Sequence, residues 1–115
     1  VDEVCVWFNP GCSKCRGARE LLEARPETID YFHYLDRRPT RLEIERVMKQ
    51  LGIDDPGAMM RTGEDVYSEL HLDDADHDAL IEAMVEHPIL IERPIVIRGD
   101  RAVIARPPEK LFELF

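Results

Sequence analysis

Val4-Cys5-Val6-Trp7-Phe8-Asn9-Pro10-Gly11-Cys12-Ser13-Lys14-Cys15 is the stretch that decides how the rest of the chain is read. Its first five residues are mostly β-branched and aromatic, and Asn9-Pro10-Gly11 stops them, which reads as a strand running into a tight turn. Ala18, Leu21 and Leu22 then recur at helical spacing, and Pro26 limits that helix. Residues 29–34 form a second strand-like run. A strand, helix, strand opening calls for a parallel pair joined by a right-handed crossover. Far along the chain, Ile95-Val96-Ile97 and Ala102-Val103-Ile104 flank Arg98-Gly99-Asp100-Arg101, whose central Gly-Asp suits a two-residue hairpin turn. That hairpin adds antiparallel strands.

Helices fill the middle. Thr40-Arg41-Leu42-Glu43 spells a capping box, and Ile44, Val47, Met48 and Leu51 form the apolar stripe of the helix it opens, with Gly52 ending it. Shorter helical pieces are expected around residues 58–61 and 66–70. Leu80, Ile81, Met84 and Val85 mark a further helix, closed before Pro88. Pro107 and Pro108 fit the start of a final helix carrying Leu111, Phe112 and Phe115. The expected fold class is α/β, a mixed sheet of about four strands flanked by helices. At 115 residues, with no repeat, low-complexity tract or linker, the chain is read as one domain.

Composition narrows the function classes. The chain is 44% hydrophobic and 34% charged, enough to fold around a modest core. No apolar run approaches the ~20 residues that span a bilayer, and Val1-Asp2-Glu3 lacks a basic leader, so neither a membrane span nor a secretory signal is expected. A net charge of −9 disfavours nucleic acid and anionic membranes as partners. From Thr62 to Glu92 there are ten acids and no Lys or Arg, read mainly as a solvated helical face. Arg61, Arg93 and Arg106 depart from that pattern, because each sits beside an apolar or Pro-bearing segment. Three cysteines are too few for a disulfide-stapled scaffold, which points to a cytoplasmic protein with thiols kept for chemistry.

The C-x-x-C of Cys12 and Cys15 lies between the first strand and the first helix. Unpaired backbone N–H groups and the positive dipole end of a helix stabilise a thiolate there, and Lys14 and Arg16 add positive charge. Cys12 is the expected reactive thiol. Cys15 is its expected partner, close enough to attack a disulfide formed by the first sulfur. Half of a zinc site is the competing reading, but the sequence has no second C-x-x-C, and no metal is expected. Cys5, mid-strand, reads as a small buried hydrophobe.

Asn9-Pro10-Gly11-Cys12-Ser13, Arg61, His87-Pro88 with Glu92-Arg93-Pro94-Ile95-Val96, and Arg106-Pro107-Pro108-Glu109 together resemble the glutaredoxin-coupled arsenate reductase family. The resemblance runs from the first strand to the last residue. It implies a thioredoxin-like fold with a helical insertion at roughly residues 40–88, and a cis bond at Arg93-Pro94. It also implies that Cys12 is the nucleophile and that Arg61, Arg93 and Arg106 bind the oxyanion. Guanidinium groups suit that task, since they stay charged and offer paired donors to oxygen pairs. The implied partners are arsenate, glutathione as reducing co-substrate and glutaredoxin, with no tightly bound cofactor. Two positions depart from the pattern. Phe8 stands where the family's reductases carry a histidine that supports the thiolate, and Cys15 stands where a hydroxyl residue is common. A redox-sensing regulator and a general thiol–disulfide exchanger using Cys12 and Cys15 are the alternative functions.

Overall fold

The computed structural model describes residues 3–115. Val1 and Asp2, part of the opening read above for a leader, lie outside them. By its contacts the chain divides into two compact units, one comprising the residues up to Arg37 together with Arg93–Phe115, the other Arg38–Glu92.

The first unit holds the sheet. Strand β1 (Glu3–Trp7), helix α1 (Ser13–Glu23) and strand β2 (Thr28–Phe32) form the crossover read from the opening stretch, and β3 (Ile95–Arg98) and β4 (Arg101–Ile104) form the hairpin. The strand order is β2-β1-β3-β4. β1 runs parallel to β2, with Cys5 opposite Asp30, and antiparallel to β3, with Trp7 opposite Ile95. β4 closes on β3 with Ile104 opposite Ile95. In the connecting turn Gly99 takes φ 63°, the positive value that a primed hairpin turn asks of its first central residue.

Alternation along β1 sorts the side chains. Val4, Val6 and, just beyond the strand, Phe8 point to one face, where α1 presents Cys15, Ala18 and Leu22 at helical spacing. Val96, Ala105, Leu111 and Leu114 complete this buried cluster. The C-terminal segment Pro108–Leu114 is a 3₁₀ helix, where an ordinary helix was expected. The seven residues, led by Pro108 and preceded by Pro107, begin with an i+3 bond from the Lys110 N–H to the Pro107 carbonyl, at 3.0 Å. At the other end, side chains capture the last carbonyls. Arg98 Nη1 donates to that of Leu114 at 2.8 Å, and Arg101 Nη2 to that of Glu113 at 3.1 Å.

The second unit is helical: α2 (Arg41–Leu51), α3 (Asp65–Glu69) and α4 (His77–Glu86), with 3₁₀ turns at Pro56–Met59, Leu72–Asp74 and Pro88–Leu90. The acidic stretch is thus divided among several short pieces. Ile44, Val47 and Met48 of α2 and Leu80, Ile81, Ala83 and Met84 of α4 are buried. Arg41 ties the two helices together through Asp78 and Glu82. The capping box forms as read: the Glu43 N–H donates to Thr40 Oγ1 at 3.2 Å, and the Thr40 N–H donates to the Glu43 carboxylate at 2.9 Å. Thr40→Ala removes one acceptor from the helix end and is expected to cost about 1 kcal/mol. It should lower the urea midpoint with an unchanged slope. Among the described residues, no helix is long and apolar enough to cross a membrane.

Candidate active site

The site forms where β1 delivers the chain to α1. Asn9 shapes the turn: its side-chain oxygen accepts the Gly11 N–H at 2.9 Å, and its carbonyl accepts the Cys12 N–H at 3.0 Å. Arg16 Nη1 fastens the loop by donating to the Pro10 carbonyl at 3.0 Å. Cys12 is the N-cap of α1, in extended conformation, and its carbonyl accepts the Arg16 N–H at 3.1 Å. Its sulfur therefore lies over the open first turn of the helix, and no acid occupies that turn. Cys15 sits one turn on and is fully buried, with the Asn9 N–H donating to its sulfur at 3.5 Å. All three cysteines are free thiols.

Sheet register brings two distant arginines to this loop. Ile95 pairs with Ile104, and the Ala105 N–H donates to the Pro94 carbonyl at 2.9 Å, so Arg93 just before β3 and Arg106 just after β4 come side by side. β3 also neighbours β1, which places the pair at the end of β1 that leads to Cys12. Arg106 Nη1 donates to the Arg93 carbonyl at 3.0 Å and reaches the Cys12 sulfur at 3.9 Å. Both arginines precede cis prolines, at Arg93-Pro94 and Arg106-Pro107. The first was expected; the second was not.

Arg93 carries the most telling detail. Its Nε and Nη1 atoms are buried and have no hydrogen-bond partner. Such donors are costly to leave unmade unless something occupies the space in front of them. Oxygen atoms of an anion would satisfy them.

The two thiols are pulled in opposite directions. Burial works to raise the pKa of Cys12, but the N–H groups of Cys15 and Lys14, the Cys15 thiol and the charge of Arg93 outweigh it, leaving Cys12 at about 7. Burial is also the main influence on Cys15. The negative charge on Cys12 and its hold on the Cys15 proton add to it, against the Asn9 N–H and Arg93, and Cys15 is pushed up to about 12. Of the two thiols, Cys12 is the one whose surroundings favour the reactive thiolate, and those of Cys15 favour the protonated thiol. Alkylation of Cys12 by iodoacetamide should be half-maximal near pH 7 and fall with each unit below it, because only the thiolate reacts. An unperturbed thiol would reach its half-maximum at about 8.5.

Phe8 is buried in the same cluster as both sulfurs. Its ring meets Tyr31 and His33 edge-on, at centroid distances of 5.1 and 5.7 Å. An apolar wall therefore stands at this position. Arg61 belongs to the second unit, where its N–H donates to the Leu90 carbonyl at 2.7 Å. Its guanidinium pairs with Glu64 at 2.8 Å and approaches Glu92 at 3.7 Å. Of the five site residues named from sequence, Cys12, Cys15, Arg93 and Arg106 meet within the first unit. Asn9 is read in the sequence as part of the turn and of the Asn9–Ser13 motif that carries the resemblance, with no role of its own. Its place before Pro-Gly-Cys was the one signal of its further role, holding both the loop and the Cys15 sulfur.

Comparison with known proteins gives this chain a family. A model of the ArsC family matches residues 7–114, nearly the whole chain. The chain belongs to the ArsC family. Among its members, the arsenate reductase of Neisseria meningitidis serogroup A is 40% identical over 113 residues, covering 96% of this chain and 97% of that protein. The arsenate reductase of Haemophilus influenzae is 43% identical over 113 residues with the same coverage. The structure of the arsenate reductase from Vibrio cholerae superposes with a TM-score of 0.95 at 43% identity, covering 98% of each chain. The mixed sheet and its flanking helices are the thioredoxin-like fold of this ArsC group.

Proposed function

We propose that this chain is a thiol-dependent oxidoreductase that reduces arsenate to arsenite at Cys12. The observation that carries the reading is the Arg93 guanidinium. It offers two buried, unpartnered donors, and its charge acts on a sulfur whose pKa is about 7. A tetrahedral oxyanion repels a thiolate until its charge is neutralised, and a preorganised guanidinium does this without cost at the moment of reaction. Arg106, 3.9 Å from the sulfur, adds a second cation, and the open first turn of α1 adds N–H donors. Arg61 is proposed as a third arginine on the family resemblance.

In this reading the Cys12 thiolate attacks arsenic, a bond from sulfur to arsenic forms and water leaves. A second thiol then attacks the Cys12 sulfur. The bonding pair goes to arsenic, which passes from As(V) to As(III) and departs as arsenite. Glutathione is the external thiol proposed here, with glutaredoxin clearing the mixed disulfide and no tightly bound cofactor needed. Such thiol chemistry belongs to a reducing compartment, which supports a cytoplasmic location.

The test is NADPH consumption coupled through glutathione, glutaredoxin and glutathione reductase. Arsenate should drive consumption. A rate that is the same with and without arsenate would overturn the reading.

A further inference from the structure

We propose that Cys15 is the resolving nucleophile of this site: once Cys12 is bonded to arsenic, the Cys15 sulfur attacks the Cys12 sulfur, closing a Cys12–Cys15 disulfide and releasing arsenite without glutathione. The inference rests on the arsenate reading above and puts Cys15, in place of glutathione, as the thiol that attacks Cys12, leaving glutathione to the resetting of the disulfide.

Geometry carries it. Cys15 lies three residues after Cys12 on the first turn of α1, is buried in the same cluster, and the two thiols act on each other's ionisation. From the other side the Asn9 N–H points at the Cys15 sulfur at 3.5 Å. That donor serves a sulfur that acquires negative charge and has little use for a packing methyl-sized group. Cys15 is fully buried, so solvent thiols reach it poorly, whereas it meets the Cys12 sulfur at the high effective concentration of an intramolecular reaction.

The resting state hides this nucleophile, and the first chemical step exposes it. Burial raises the pKa of Cys15, as do the charge on Cys12 and the hydrogen bond Cys15 gives it. When Cys12 becomes bonded to arsenic its charge is gone, and that hydrogen bond with it. Burial still works against the Cys15 thiolate, while the Asn9 N–H and the charge of Arg93 remain in its favour. Attack is thereby timed to follow adduct formation.

The step balances. Arsenic acid and two thiols give arsenous acid, one disulfide and water. The S–S bond forms as the S–As bond breaks, and its electron pair stays on arsenic. The Cys15 proton ends on an arsenite oxygen, and the two sulfurs supply the two electrons. The disulfide is then reset by an external thiol reductant of the glutathione or protein-dithiol class.

The test mixes fully reduced protein anaerobically with arsenate and no glutathione, then measures arsenite and maps thiols by mass spectrometry of alkylated peptides. The expected result is about one arsenite per chain, with Cys12 and Cys15 joined in a disulfide. In Cys15→Ser, and in Cys15→Ala as a second variant, arsenite without glutathione should fall about tenfold or more. It should return as glutathione is added, which also shows that the variants are folded. Wild-type protein that makes arsenite only when glutathione is present would overturn the resolving role and leave the arsenate reading standing. No arsenite under either condition would overturn both. Equal release by Cys15→Ser and wild type without glutathione would also overturn the resolving role.

Discussion

Cys12→Ser should lower arsenite formation by on the order of 10³-fold or more, to the background of the coupled assay. Two losses combine. A serine hydroxyl is not ionised near neutral pH, so the N–H groups of Lys14 and Cys15 and the charge of Arg93 have no anion to stabilise. An oxygen also cannot form the S–S bond through which two electrons leave for arsenic. Because Arg93 and Arg106 are untouched, the anion should still bind. The effect is therefore expected in kcat with little change in affinity, read by arsenate titration of the variant. A Cys12→Ser protein with more than a tenth of the wild-type rate would move the nucleophile elsewhere.

Arg93→Ala is the second large effect, a fall in kcat/KM of about 10²- to 10³-fold. The variant removes the two unpartnered donors and one of the influences that hold the Cys12 pKa down. The pH at which Cys12 alkylation is half-maximal should therefore rise, an effect a merely structural residue would not produce. Arg93→Lys restores a charge without the paired donors and should recover the alkylation profile better than the rate. Steady-state kinetics and the alkylation profile of the two variants check these outcomes. A rate loss in Arg93→Ala with an unmoved alkylation profile would argue against the charge coupling.

Much of this site is legible in the sequence because it is built from local signals. The run at residues 4–8 is a strand by residue type, Asn9-Pro10-Gly11 breaks it, and the helical spacing that follows puts Cys12 at a helix start. Phe8 falls just past the observed strand, yet its N–H still donates to the Phe32 carbonyl at 2.9 Å, so the boundary differs little in substance. The capping box and the Gly99-Asp100 turn are equally local. Non-local features carry no such local signal. Arg93 and Arg106 lie 13 residues apart and meet only through the register of β3 on β4, which composition does not encode. The family resemblance suggested them, whereas their pairing with each other needed the structure. The C-terminal segment resembled an ordinary helix because its apolar spacing is helical. Its 3₁₀ form goes with two leading prolines and with arginines on the last carbonyls, the latter contributed by β3 and β4. Arg61 is marked in the sequence by its place beside an apolar segment and by the family resemblance. Its pair with Glu64 is local, three residues on, whereas its approach to Glu92 goes with the bridge between Met60 and Ile91, segments far apart in sequence.

The central claim is that a Cys12 thiolate and a waiting arginine donor set form one oxyanion site. Its most direct test is the rate of Cys12 alkylation by iodoacetamide at pH 7 as arsenate is titrated into reduced protein, followed by peptide mass spectrometry. The account predicts a saturable slowing at Cys12 that disappears in Arg93→Ala, while Cys5 reacts at the same rate throughout. Alkylation of Cys12 that proceeds equally fast at every arsenate concentration would contradict it.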